Sequence, residues 1–179
     1  MPTTDSLKLR VLVLGSGGRE HALCWKLSSS PCLEKLYALP GNPGMKELGA
    51  ELLSGSVTDF QEVKKAVLAN GIQLVVIGAE APLCVGIVDF FQNDPQLADV
   101  RIFGPTRQCA QLEASKQFAK DFMQRHNIPT ARYQAFTSDQ LEAACRFLDE
   151  MRPPYVIKAD GLAAGKGVLI EAERANAEA

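Results

Sequence analysis

Between residues 11 and 22 the chain runs VLVLGSGGREHA: an apolar stretch, three glycines in four positions, then an arginine, a glutamate and a histidine. Glycine lets a backbone come close to a ligand, and the start of a following helix offers unpaired N–H groups to an anion. Gly15, Gly17 and Gly18 fit that use, and Arg19 adds a planar cationic fork that matches phosphate. His21, in the first turn of the expected helix, suits a structural role or a hydrogen bond to a ligand better than general-base work. The alternative is a tight glycine turn beside a solvated arginine.

A dinucleotide fingerprint, G-x-G-x-x-G, needs glycine at position 20, where the chain has Glu20. It also needs an acidic residue at the end of the second strand, where the chain has Pro40-Gly41. Both departures count against one rival reading, a nicotinamide-dependent oxidoreductase; the other rival is a non-catalytic nucleotide-binding module. A second glycine-rich stretch, DGLAAGKGV from residue 160, fails as a P-loop. Three residues rather than four separate Gly161 from Gly165, and Gly167 follows Lys166 where a magnesium-binding hydroxyl is required. The stretch reads instead as a flap between two strands, carrying one lysine. Lys158 lies in the apolar run YVIKA, where its charge either meets an anion or snorkels from a sheet edge. Lys116, in LEASKQFAKDF, reads on its own as a surface lysine of a helix.

These residues need a scaffold, and the periodicity supplies one. Residues 9–14 form a near-continuous apolar run, the pattern of a strand covered on both faces of a parallel sheet. A helix is expected from Gly18 to Ser28, with Ala22, Leu23, Trp25 and Leu27 on its covered face and Pro31 beyond its end. Strands follow at 35–39, 72–77 and 100–104. Between the first two lies a helix opened by a Thr58/Gln61 capping box, with Phe60, Val63, Val67 and Leu68 as its face and Asn70-Gly71 as its close. A short helix is expected through VGIVDFFQ. This alternation predicts an α/β fold, a doubly wound Rossmann-like parallel sheet, with ligands gathered outside the carboxyl ends of the strands. The loops GSGGREH, PGNPG and GAEAPL are then candidates for one crevice.

GPT, residues 104–106, marks a domain junction, giving domains at 1–105 and 106–179. Beyond it comes one long helical region, RQCAQLEASKQFAKDFMQRHN, with Leu112, Phe118, Phe122 and Met123 as its apolar face and Asn127 suited to end it. ARYQAF is expected as a strand, SDQLEAACRFLDEM as a helix, and YVIKA and VLIEA as strands around the flap.

Composition sets the outer limits. The 179 residues are 46% hydrophobic and 22% charged with a net charge of −2, enough apolar material for a core and no basic run for nucleic acid. No apolar stretch reaches the roughly 20 residues of a membrane span. The first ten residues lack the pattern of a signal peptide, so a cytoplasmic protein is expected, with no membrane partner. The five cysteines are scattered without a C-x-x-C pair, and are read as buried reduced thiols rather than a disulfide or zinc framework.

Six segments in order, VLVLGSGGREHAL, PGNPG, EAPL…GIVD, FGPT…AQLEASKQFAKDFM, IPTA and VIKADGLAAGKGV, resemble the glycinamide ribonucleotide synthetases, ATP-grasp ligases of purine synthesis. The resemblance covers nearly all of residues 10–170. It implies a pre-ATP-grasp domain followed by the beginning of an ATP-grasp domain. It also implies that Gly15, Ser16, Gly17, Gly18, Arg19, Glu20 and His21 line the phosphoribosyl substrate site. Pro40, Gly41, Asn42, Pro43 and Gly44 would join them, with Glu80, Ala81, Pro82 and Leu83. Lys116 and Lys158 would contact ATP. The flap Asp160, Gly161, Leu162, Ala163, Ala164, Gly165, Lys166 and Gly167 would close over its phosphates. The implied reaction uses ATP to phosphorylate glycine, and the amine of 5-phosphoribosylamine attacks the acyl phosphate.

The chain departs from the family pattern at Ala79, where proline is usual, and at Asn127, where glycine is common. It also stops at Ala179, soon after the flap. Magnesium ligands are therefore expected beyond residue 179, with none within the chain, and residues 1–179 are expected not to catalyse the reaction alone.

Overall fold

Leu9–Gly15 form strand β1, whose last five residues are buried. A strand apolar at every position needs cover on both sides, and β1 has it as the middle strand of a parallel sheet. The computed structural model describes residues 8–161 and 166–178. The chain divides into two compact units, Met1–Ala110 and Gln111–Ala179.

In the first unit β1 is followed by α1 (Gly18–Ser28), β2 (Leu33–Pro40), α2 (Pro43–Glu47) and β3 (Glu51–Leu52). Then come α3 (Phe60–Asn70), β4 (Leu74–Ile77), α4 (Glu80–Val85), α5 (Ile87–Asn93), β5 (Arg101–Phe103) and α6 (Arg107–Ala114), within which the division between units falls. The five strands are all parallel in the order β3-β2-β1-β4-β5. Reversal of direction at β1 is what a doubly wound sheet requires.

Successive side chains of a strand point to opposite faces, so one apolar run serves two cores. Val11 and Val13 join Leu36, Ala38 and Val76 against Cys24 of α1 and Met45 of α2. Leu12 and Leu14 join Leu39, Val75 and Ile77 against Val63 and Val67 of α3 and Ile87 and Phe91 of α5.

Several local expectations shift. α3 is capped by Asp59, whose Oδ1 accepts from the N–H groups of Gln61 and Glu62, because a carboxylate one residue nearer displaces the Thr58 hydroxyl. Leu68 lies off the buried face of α3, and Trp25, expected in cover on α1, is 64% exposed. The segment expected as one helix at 85–92 begins earlier and breaks in two at Gly86, whose φ of 98° a side chain rarely tolerates. Of the cysteines only Cys24 is fully buried, and Cys32 and Cys109 are exposed; all five are free.

The second unit holds α7 (Lys116–Arg125), α8 (Leu141–Asp149), β6 (Tyr155–Lys158), β7 (Val168–Glu171) and α9 (Arg174–Glu178). The long helix expected after GPT is interrupted at Ser115, whose hydroxyl accepts from Phe118 N–H and starts α7 afresh. Asn127 adopts the left-handed conformation, φ 54°, as expected of it. Residues 131–136, expected as a strand, pair with no strand among the described residues. Side chains hold that segment instead: Lys120 Nζ donates to Thr130 Oγ1 and to Ala131 O, and the Tyr133 hydroxyl donates to Asp121. β6 and β7 pair antiparallel, with Val156 opposite Ile170 and Ile157 opposite Leu169.

The two-sided core predicts that Leu12→Ala lowers unfolding free energy by about 2–5 kcal/mol in urea denaturation. Trp25→Ala changes it by no more than about 0.5 kcal/mol.

Candidate functional site

Parallel strands deliver their carboxyl ends to one edge, and there the loops after β1, β2 and β4 meet. Gly41 N–H donates to Gly15 O at 3.1 Å, Asn42 Nδ2 to Ser16 O at 2.9 Å, and Gly78 N–H to Leu14 O at 3.1 Å. The expected convergence of the three glycine-bearing segments is therefore present. Two of them are more ordered than loops. Asn42 caps α2 by accepting from Met45 N–H, with Pro43 at the first helical position. Glu80, Ala81, Pro82 and Leu83 lie in α4, Pro82 falling in the first turn, where its missing N–H costs nothing.

Glu20 sits at the centre of this edge. It is the one buried charged residue, only 5% exposed, among the described residues. Its Oε2 accepts from Gly17 N–H at 2.7 Å. A Cβ on Gly15 would stand 2.6 Å from Glu20 Cγ, and one on Gly78 only 2.4 Å from it. The two strand-end glycines thus make room for the glutamate between β1 and β4. Glu20 does occupy the space that a third fingerprint glycine would leave open.

Arg19 lies outside this pocket and spans to the third segment. Its Nη1 donates to Gly78 O at 2.9 Å and its Nη2 to Glu80 Oε1 at 2.8 Å. The Glu80 carboxyl is held below its usual range by its own backbone N–H and then by the Arg19 guanidinium. His21 is half-buried, its ring against Gly44, where a Cβ would come within 2.4 Å of Cε1. Ser16, Gly17, Gly18, Pro40 and Pro43 are exposed along the same edge.

The second unit gathers a different cluster. The Asp160 carboxylate accepts from Ser115 Oγ at 3.0 Å, Lys116 N–H at 2.6 Å and Gln117 N–H at 3.3 Å, capping α7. Burial pushes the Asp160 carboxyl up, but the bonds from Ser115 and from the backbone of Gln117, Lys116 and Gly161 outweigh it and leave it below its usual range. Lys116 Nζ donates to Gly161 O at 2.7 Å. Lys158, at the end of β6, and Lys166 are exposed, and Gly167 O accepts from Ala159 N–H at 2.8 Å. Leu162, Ala163, Ala164 and Gly165 lie outside the described residues. No group of three or more His, Cys, Asp or Glu among the described residues could hold a metal ion. None of the described helices is long and apolar enough to cross a membrane.

Gly78 and Asn42, within the loops GAEAPL and PGNPG, also carry local backbone signals. Gly78, a glycine ending an apolar strand, marks a close approach of another group. Asn42-Pro43 is a helix start, a capping residue before a proline, inside the loop PGNPG.

A doubly wound sheet followed by this second unit is the fold of the ATP-grasp enzymes. The biotin carboxylase domain of Hydrogenobacter thermophilus 2-oxoglutarate carboxylase is similar to 95% of the chain, which covers 39% of that domain, with a TM-score of 0.70 at 16% identity. Within that class the chain belongs to the phosphoribosylglycinamide synthetase family, matching its N domain over residues 9–113 and its ATP-grasp (A) domain over residues 114–179. Phosphoribosylamine–glycine ligase of Pasteurella multocida is 48% identical over 172 residues, which make up 96% of this chain and 39% of that protein. The crystal structure of the Thermotoga maritima phosphoribosylamine–glycine ligase has a TM-score of 0.71 and 34% identity, with 95% of this chain and 38% of that one covered. The chain thus spans about two-fifths of the length of the relatives it matches.

The packing of Glu20 against Gly78 makes a quantitative prediction. Gly78→Ala destabilises the protein, and Glu20→Ala in the same chain recovers part of that loss. A double-mutant cycle by urea denaturation gives a coupling of about 0.5–3 kcal/mol. Additive costs would show that the glutamate does not fill the space beside Gly78.

The Arg19–Glu80 pair also predicts a pH dependence. A depressed native pKa stabilises above the unfolded-state value and is lost as pH falls through the native one. Between about pH 4.3 and lower values, wild-type stability should therefore drop more steeply than that of Glu80→Gln in acid titrations followed by circular dichroism.

Proposed function

We propose that the chain supplies the substrate and nucleotide-binding portions of a ligase that joins glycine to 5-phosphoribosylamine at the expense of ATP, in the cytoplasm. The convergence of the segments after β1, β2 and β4 on one edge is the observation that carries the reading, since doubly wound sheets bind ligands there. In this proposal Gly15–His21, Pro40–Gly44 and Glu80–Leu83 line the phosphoribosyl substrate crevice, with the domain boundary near GPT at 104–106.

ATP belongs to the second domain. In this reading Lys116 and Lys158 would contact its phosphates or adenine, and the segment from Asp160 to Gly167 would close over the phosphates. Asp160, by capping α7, fixes the helix end from which Lys116 projects. ATP transfers its γ-phosphoryl group to the glycine carboxylate, forming glycyl phosphate and ADP. The phosphoribosylamine nitrogen then attacks the carbonyl carbon, the C–N bond forms, and phosphate leaves as the amine loses its proton. Lysine ammonium groups stabilise charge on the transferring phosphoryl group. Magnesium would share that task, and the described residues offer it no ligand cluster.

Isotope transfer tests the route in the enzyme that carries this chain. With glycine labelled by oxygen-18 in its carboxylate, the phosphate released should carry one labelled oxygen. Amide formation with unlabelled phosphate would contradict the acyl phosphate.

A further inference from the structure

The first glycine loop has the composition of a phosphate cradle, yet the Gly17 N–H and the Arg19 guanidinium are engaged within the protein. Gly17 N–H, the donor that precedes the first turn of α1, is bonded to Glu20 Oε2 at 2.7 Å. The Arg19 fork is directed to Gly78 O and to Glu80. We propose that Glu20 closes the N-terminus of α1 to ligand phosphate: its carboxylate stands where a phosphoryl group would bind, so the glycine loop lines the crevice without receiving the phosphate.

The geometry makes this closure a built feature. Glu20 is 5% exposed, and its side chain fits between Gly15 and Gly78, neither of which leaves room for a Cβ beside it. A helix start favours an anion through its free N–H groups and dipole, and one carboxylate satisfies that preference. A second anion placed there meets repulsion at contact distance in a partly desolvated corner. The neighbouring Cys24 registers the environment: burial, and then the Glu20 carboxylate, push its thiol up to about 11. A dinucleotide pyrophosphate is rejected by the same group, and the phosphate of a phosphoribosyl ligand must be held by other residues.

The proposal rests on the functional reading only for the identity of the ligand, and its test avoids that ligand. The nitrogen-15-labelled chain is titrated with inorganic phosphate at constant ionic strength, and the Gly17 and Gly18 amides are followed by NMR. Wild type should show no saturable shift at these amides. Glu20→Ala should show one, and so should Glu20→Gln, which keeps the shape and removes the charge. If Glu20→Ala does not fold, Glu20→Gln alone decides. Saturable phosphate binding at Gly17 in wild type, or its absence in Glu20→Gln, would overturn the closure. Failure of the chain to bind phosphoribosylglycinamide would instead count against the functional reading and leave this result standing.

Discussion

The contact between Glu20 and the backbone of Gly17 organises the carboxyl edge of the sheet in the first unit. A carboxylate buried at the junction of β1, α1 and β4 requires a donor, and Gly17 supplies it. It also requires space, and Gly15 and Gly78 supply that by lacking side chains. Glu20 thus touches the end of β1, the first turn of α1 and the end of β4 at once, adding to the β1–β4 ladder and the Arg19 bond to Gly78 O. Arg19, next in the chain, extends the tie to α4 through Glu80, and Asn42 joins α2 through Ser16. The two apolar cores hold the strands; Glu20 decides how their ends meet.

That arrangement explains why the fold was more legible than the site. An apolar run such as VLVL can only be buried on both faces, so the parallel sheet followed from residue types alone. Elements that depend on one polar contact were harder to place. Asp59 takes the cap from Thr58 because its carboxylate reaches two backbone N–H groups, and spacing does not rank two adjacent capping residues. β3, two residues long, is a strand only by its pairing with β2. The apolar and aromatic content of ARYQAF suits a strand, but Lys120 and Asp121 of α7 hold its flanks by side-chain bonds. Glu20 is visible in the sequence as a departure from a dinucleotide fingerprint, but that it fills the vacated space depends on how closely Gly15 and Gly78 approach it.

The second unit is governed by a polar clasp of the same kind. Asp160 and Ser115 lie 45 residues apart, yet together they start α7 and set the backbone position of Lys116. Lys116 returns a bond to Gly161, so the residue beginning the glycine-rich segment is tied to the lysine. The sheet beside it is apolar on both faces and exposed, with Leu169 and Ile170 more than 60% accessible. A charged Lys158 at the end of such a strand therefore reaches solvent without a desolvation cost, which removes the argument that its position alone demands an anion.

The convergent edge and the self-capped helix support the proposal that the first unit takes a phosphoribosyl substrate and excludes dinucleotides. Calorimetric titration of the chain with phosphoribosylglycinamide, and in parallel with reduced nicotinamide dinucleotide, tests it most directly. The account predicts saturable one-site binding of phosphoribosylglycinamide and no heat of binding from the dinucleotide. Saturable binding of the dinucleotide, with none of phosphoribosylglycinamide, would contradict it.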